Sequence, residues 1–97
     1  MTRTVINPGS PQRLEEIQDR LALGLAQVDP HRRLRDRPVT YRVIAGQTLE
    51  ITYKDVFRID EAEVIGVKHL IGEHCYCSIT PQTAETLTVR FVVPLTD

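Results

Sequence analysis

The stretch GEHCYCSI, Gly72 to Ile79, holds both cysteines of the chain and one of its three histidines. His69 lies a few residues upstream. Three chemistries are open to these residues: a disulfide, a metal centre and a thiol nucleophile. Cys75 and Cys77 are two apart, so in a strand they share a face with α-carbons roughly 6.6 Å apart. A disulfide prefers those atoms nearer ~5.5 Å, and same-face side chains on a straight strand point in parallel. The redox spacing Cys-x-x-Cys at a helix start is absent.

The candidate metal ligands are His69, His74, Cys75 and Cys77. Zinc takes about four such ligands in a tetrahedron. A hairpin at Gly72-Glu73 would pair Ile71 with His74 and His69 with Tyr76. It would leave both imidazoles on the face opposite the two thiols. The same separation works against a cysteine nucleophile with His69 or His74 as base and Glu73 or Glu63 orienting it. Cysteine behaves as a small apolar side chain when buried. The better reading is an inward face of Cys75, Cys77 and Ile79, with His74, Tyr76 and Ser78 outward. The acidic cluster Asp55, Asp60, Glu61 and Glu63 reads as a solvated turn and strand edge rather than a magnesium site or an acid pair. The five glycines form no phosphate-cradling loop. No catalytic group is assigned and no cofactor is expected.

The densest charge is HRRLRDR, His31 to Arg37. Arg32, Arg33, Arg35 and Arg37 are candidate phosphate contacts, and such contacts would be salt-sensitive. Asp29 and Asp36 dilute them, and no exposed aromatic platform accompanies the stretch. The competing reading is a surface connection whose arginines pair with the acidic 55–63 segment of the same or a neighbouring chain.

Helical period identifies the first element. Ser10-Pro11 makes an N-cap followed by proline at the first helical position. Leu14, Ile17, Leu21, Leu25 and Val28 then follow at steps of three and four, and Pro30 closes the helix. The prediction is a helix over Pro11 to Val28. Residues 1–9 read as an arm or an extra edge strand. After the basic connection, Val39 to Ala45 and Leu49 to Lys54 alternate as a hairpin turning at Gly46-Gln47. Val56 to Gly72 is ambiguous. Asp60 and Glu63 have capping-box spacing, yet Val64, Ile65 and Val67 are β-branched. A strand over Glu63 to Ile71 is preferred to a short helix. The cysteine strand and a last strand, Thr86 to Val93, complete a sheet.

These elements predict an α+β fold: one N-terminal amphipathic helix packed on a mostly antiparallel sheet of about four to five strands. The 97 residues make a single domain. The 41% hydrophobic share is globular, and only 5% is aromatic, so the core rests on aliphatic residues. A net charge of −1 does not draw the whole protein to nucleic acid or an anionic membrane. No apolar run approaches a membrane span, and MTRTVINPGSP lacks a signal-peptide core. Free thiols then place the protein in the cytoplasm, or in a particle assembled there. Ile44 and Val92 are apolar exceptions on outward faces and are the candidate interface. The function expected is a non-enzymatic structural or adaptor protein acting through self-association, such as a viral or phage assembly component or a small bacterial accessory protein. Other protein partners fit the same reading. The alternatives are a nucleic-acid-binding or regulatory module using 31–37, and a small metal- or thiol-dependent enzyme using 69–77.

Overall fold

The computed structural model describes residues 11–95, and the arm or strand expected at 1–9 lies outside them. Helix α1 spans Pro11–Val28, as its apolar stripe predicts. Ile17 and Leu21 are buried, and Leu14, Leu25 and Val28 pack partly against the core. Strands β1 (Val39–Ile44) and β2 (Thr48–Val56) follow, then helix α2 (Glu61–Ile71), β3 (Tyr76–Pro81) and β4 (Leu87–Pro94). The four strands form one antiparallel sheet in the order β1-β2-β4-β3. Helix α1 packs against this sheet, which gives the expected α+β fold.

Alternation sorts the sheet's two faces. Leu49, Ile51 and Tyr53 of β2 stand opposite Val93, Phe91 and Val89 of β4, and all six are buried. The Tyr53 and Phe91 rings meet edge to face with centroids 6.1 Å apart. Thr52 and Arg90 point to the other face, where Arg90 Nε lies 3.7 Å from Glu50 Oε2. The β1–β2 turn falls one residue earlier than expected, at Ala45-Gly46. Both residues have positive φ (55° and 69°), and Gln47 N–H donates to the Ile44 carbonyl at 3.0 Å. Positive φ at both central residues is the pattern of the turns that suit a β-hairpin's twist, and Gln47 completes a three-residue connection between the paired Ile44 and Thr48.

The strand preferred over Glu63 to Ile71 is wrong. This segment is α2, and the sheet has four strands. The helix places Glu63, Val67 and Ile71 four residues apart on one buried stripe. The Glu63 carboxylate reaches back to accept the Asp60 backbone N–H at 3.1 Å, satisfying a donor at the helix start. The β-branched preference for strands is worth under ~1 kcal/mol and yields to this burial and capping. Gly66 supplies the remaining reason. A β-carbon there would stand 2.7 Å from Val28 Cβ, so α1 and α2 approach through a position only glycine leaves open.

Candidate functional site

The connection from α1 to β1 is built around one carboxylate. Asp29 is fully buried. Its Oδ1 accepts the Arg33 backbone N–H at 2.8 Å, and its Oδ2 accepts those of Leu34 (2.8 Å) and Arg35 (2.9 Å). Leu34 is buried beneath this turn. Arg33 turns its guanidinium inward, pairing with Asp60 and placing Nη1 3.0 Å from Glu63 Oε1. Arg33 therefore finds its carboxylates in its own chain. Glu63 is buried at 5% exposure, a departure from the solvated acidic edge read from the sequence.

Glu63 and Asp29 lie within hydrogen-bonding reach of each other. Glu63 Oε2 is buried without a donor among the described residues. Two ionised carboxylates cannot hydrogen-bond, so the pair favours sharing one proton, and of the two it is Glu63 whose proton is held more tightly. Burial raises the Glu63 pKa and the Asp29 contact raises it further, against the Asp60 N–H and the Arg33 charge. Burial also pushes Asp29 upward. The hydrogen bond from Glu63 and those from the Leu34, Arg33 and Arg35 N–H groups outweigh it and leave Asp29 lowered.

A second group meets the arginine turn from β2. The β2–β4 register shifts between Tyr53 and Val56. Asp55 sits in the left-handed region at φ 59°. Gln82 clamps it, with Asp55 N–H donating to Gln82 Oε1 at 2.9 Å and Gln82 Nε2 donating to Asp55 Oδ1 at 2.7 Å. A bulge of this kind re-aims the side chains that follow it. Phe57 comes out 64% exposed, with the Arg37 guanidinium carbon 5.3 Å from its ring centroid. Arg37 Nη1 also donates to the Asp55 carbonyl at 3.4 Å.

Together His31, Arg32, Arg33, Arg37, Phe57 and Arg58 line a cavity of about 320 Å³. Of the four arginines singled out in the sequence, Arg32, Arg33 and Arg37 line it and Arg35 does not. Phe57 and Arg58 were missed, and with them the aromatic ring that the basic stretch seemed to lack. The only sequence signal was Asp55, a residue type that tolerates positive φ. Arg32, at φ 55°, is a second left-handed residue at the same cavity.

The cysteine segment assembles no such site. Cys75 is buried and Cys77 is half-buried on the helix-facing side, opposite Phe91. Burial lifts the Cys75 thiol to about 11 despite nearby Lys68, and burial lifts Cys77 as well. His69 and His74 are exposed and line a separate cavity of about 650 Å³ with Ile65, Lys68, Gly72 and Glu73. Among the described residues, no three His, Cys, Asp or Glu side chains are placed to hold a metal ion. The four candidate ligands are therefore split, two thiols inward and two imidazoles outward.

The remaining feature is the sheet's edges. Strands β1 and β3 each pair on one side only among the described residues. From Tyr76 to Thr80, β3 holds no charged residue. Tyr76 is 73% exposed, and Ile79, though on the helix-facing side with Val89, is 46% exposed. Of the interface candidates, Ile44 is exposed at the end of β1, and Val92 is half-buried between Glu50 and Tyr76. They do not adjoin, because Ile44 pairs with Thr48, which is itself opposite Pro94. No family model, curated protein or solved structure matches this chain.

Proposed function

We propose that the protein is a non-enzymatic structural or adaptor component that works as a closed two-fold dimer joined along β3. The observation that carries this reading is the uncharged edge from Tyr76 to Thr80, unpaired among the described residues, with Tyr76 and Ile79 exposed on it. Natural edge strands are normally blunted by lysines, inward charges, prolines or bulges. Here only Pro81, at the end of the strand, does so. Strand β1 carries Arg42, which β3 has no counterpart for.

Symmetry narrows the register. Residues directly opposite in an antiparallel ladder share a face. Odd-numbered β3 residues, on the helix side, must therefore oppose odd ones. A two-fold axis at Ser78 covers Tyr76 to Thr80 and leaves Pro81, which has no N–H to donate, out of the ladder. It sets Cys77 against Ile79 of the second copy, Tyr76 against Thr80, and Ser78 against itself. Apolar pairs then meet on the helix side and no like charges oppose. An isologous contact of this kind closes at two copies.

Light scattering over a wide concentration range tests it. The mass should rise from 11.0 kDa toward twice that value. Ile79→Lys, at a half-exposed position, should hold the protein at the monomer mass without unfolding it. In a Cys77→Ser background, Ser78→Cys should give a disulfide-linked dimer on mild oxidation, because directly opposed residues have α-carbons within about 5.5 Å. A monomer at every concentration overturns the reading.

A further inference from the structure

We propose that the cavity between the 31–37 turn and the β2–α2 connection binds a phosphate ester carrying a planar base, the shared chemistry of nucleotides and single-stranded nucleic acid. Its lining is four arginines, one histidine and one ring, with no carboxylate. The nearest acids are already engaged. Asp60 and Glu63 hold Arg33 from below, and Asp36 pairs with Arg32 at 3.7 Å in an ion pair more than half exposed on both sides. Asp55 turns its carboxylate to Gln82 and offers the cavity's Arg37 only a carbonyl.

The parts divide the ligand between them. Arg37 stands over the Phe57 ring with its guanidinium carbon 5.3 Å from the centroid, and the exposed ring with the guanidinium beside it offers a base a surface to stack on. His31, Arg32 and Arg58 come from two different connections and converge on the same space, as phosphate contacts do. About 320 Å³ is the scale of a small-ligand pocket and fits one base with its phosphate rather than a large cofactor. Backbone strain points the same way. Arg32 and Asp55, two of the three described non-glycine residues at positive φ, flank this cavity. Such strain persists where the surrounding structure enforces it, and it gathers at binding sites.

Fluorescence anisotropy with a labelled single-stranded oligothymidylate tests the proposal, with adenosine monophosphate and inorganic phosphate as competitors. Neutralising one phosphate in the cavity should weaken binding roughly fivefold for a tenfold rise in salt, from a slope near −0.7 per phosphate. Phe57→Ala removes an exposed ring and should weaken binding about tenfold while the circular dichroism stays unchanged. Arg58→Ala should weaken it and flatten the salt slope. Arg20→Ala, at an exposed arginine outside the cavity, should do neither. Competition by the mononucleotide at concentrations comparable to the strand identifies a nucleotide as the ligand, and competition by strands alone identifies nucleic acid. No binding at low salt overturns the proposal. So does binding that Phe57→Ala leaves unchanged, that phosphate displaces as well as the nucleotide does, or that Arg20→Ala weakens equally.

Discussion

Replacing Glu63 by glutamine should make the protein's stability nearly independent of pH over the range where the native chain loses it. Glu63 joins the start of α2 to the Asp29 turn. Its Oε1 accepts from Arg33 Nη1 at 3.0 Å and from the Asp60 N–H at 3.1 Å, and its Oε2 is buried without a hydrogen-bond partner among the described residues. Its folded pKa lies above the ordinary 4.5, so the native state holds a proton that the unfolded chain has released. The stability from this group is therefore fully present below the unfolded value. It is lost as pH rises through the folded one, at up to about 1.4 kcal/mol per pH unit for one proton. Asp29 has the opposite sign. Its pKa is lowered from 3.8, so its contribution is present above that value and lost as pH falls through the folded one. The groups around the pair are Arg33 and the backbone of Arg35 on the turn, Asp60 at the N-cap of α2, and Tyr53 on the sheet. Burial first, then the charges of Tyr41 and Asp29, raise the Tyr53 hydroxyl, so it stays neutral through this range.

Glutamine keeps an acceptor at Oε1 and brings a permanent donor at Nε2. Urea midpoints measured from mildly acid to mildly alkaline pH should fall for the native chain and stay level for Glu63→Gln, so the two curves cross or converge on the acid side. Glu63→Ala leaves the largely buried Arg33 with Asp60 as its remaining carboxylate and frees the Asp60 N–H. It should cost about 3 kcal/mol, the range for removing one member of a buried pair. If the native midpoint rises with pH above the ordinary glutamate range, or if Glu63→Gln falls in parallel with it, the shared proton is wrong.

The two helix-crossing glycines should respond unequally to alanine. At Gly66 the new carbon meets Val28 Cβ at 2.7 Å and Cγ1 at 2.9 Å, atoms fixed close to the backbone, so calorimetry should show a loss of about 1–3 kcal/mol despite alanine's better helix propensity. At Gly24 it meets the far end of the Leu70 side chain, which can turn away, so the loss should be smaller. Thiol-reagent kinetics at neutral pH should show Cys77 reacting before Cys75, because Cys75 is buried with a thiol raised to about 11. Cys75→Ala should destabilise moderately through the lost transfer and cavity terms, and it should not change the metal content.

What the sequence revealed depended on whether one element's own pattern decided its fate. The α1 segment has a Ser-Pro start signal in its sequence, a five-residue stripe and a proline stop, all local, and its limits follow directly. Strands β2 and β4 alternate cleanly because the helices bury one face of each. In α2 the local signals conflicted. Val64, Ile65 and Val67 favoured a strand, and the deciding facts, Gly66 beneath Val28 and Glu63 beneath Arg33, connect residues far apart in the chain. Asp29 looked like dilution of a basic run and is the residue that folds that run. The cavity was half legible. Its arginines stood together in sequence, but Phe57 and Arg58 reach them only because β2 bulges at Asp55 and Gln82, from the β3–β4 connection, holds the bulge.

The proposed dimer edge and the proposed cavity lie on opposite flanks of the sheet, and this separates their tests. The cavity sits where the chain enters β1 and leaves β2, at one end of the strand order, whereas β3 is the other end. Joining two copies along β3 would give an eight-stranded sheet with the order β1-β2-β4-β3 and its mirror sequence. Six strand spacings would separate the two cavities, roughly 30 Å at about 4.8 Å each. A two-fold axis normal to the sheet would place the cavities at opposite strand ends, both left open. Neither site would need the other's residues. Ile79→Lys should dissolve the dimer and leave the affinity for a single short ligand unchanged, and Phe57→Ala should weaken the ligand and leave the mass unchanged. Only a polymer long enough to touch both cavities would feel the dimer, through the higher effective concentration of the second site. If Ile79→Lys abolished binding of a short strand too, the ligand would have to sit at the dimer joint and not in the arginine-lined corner.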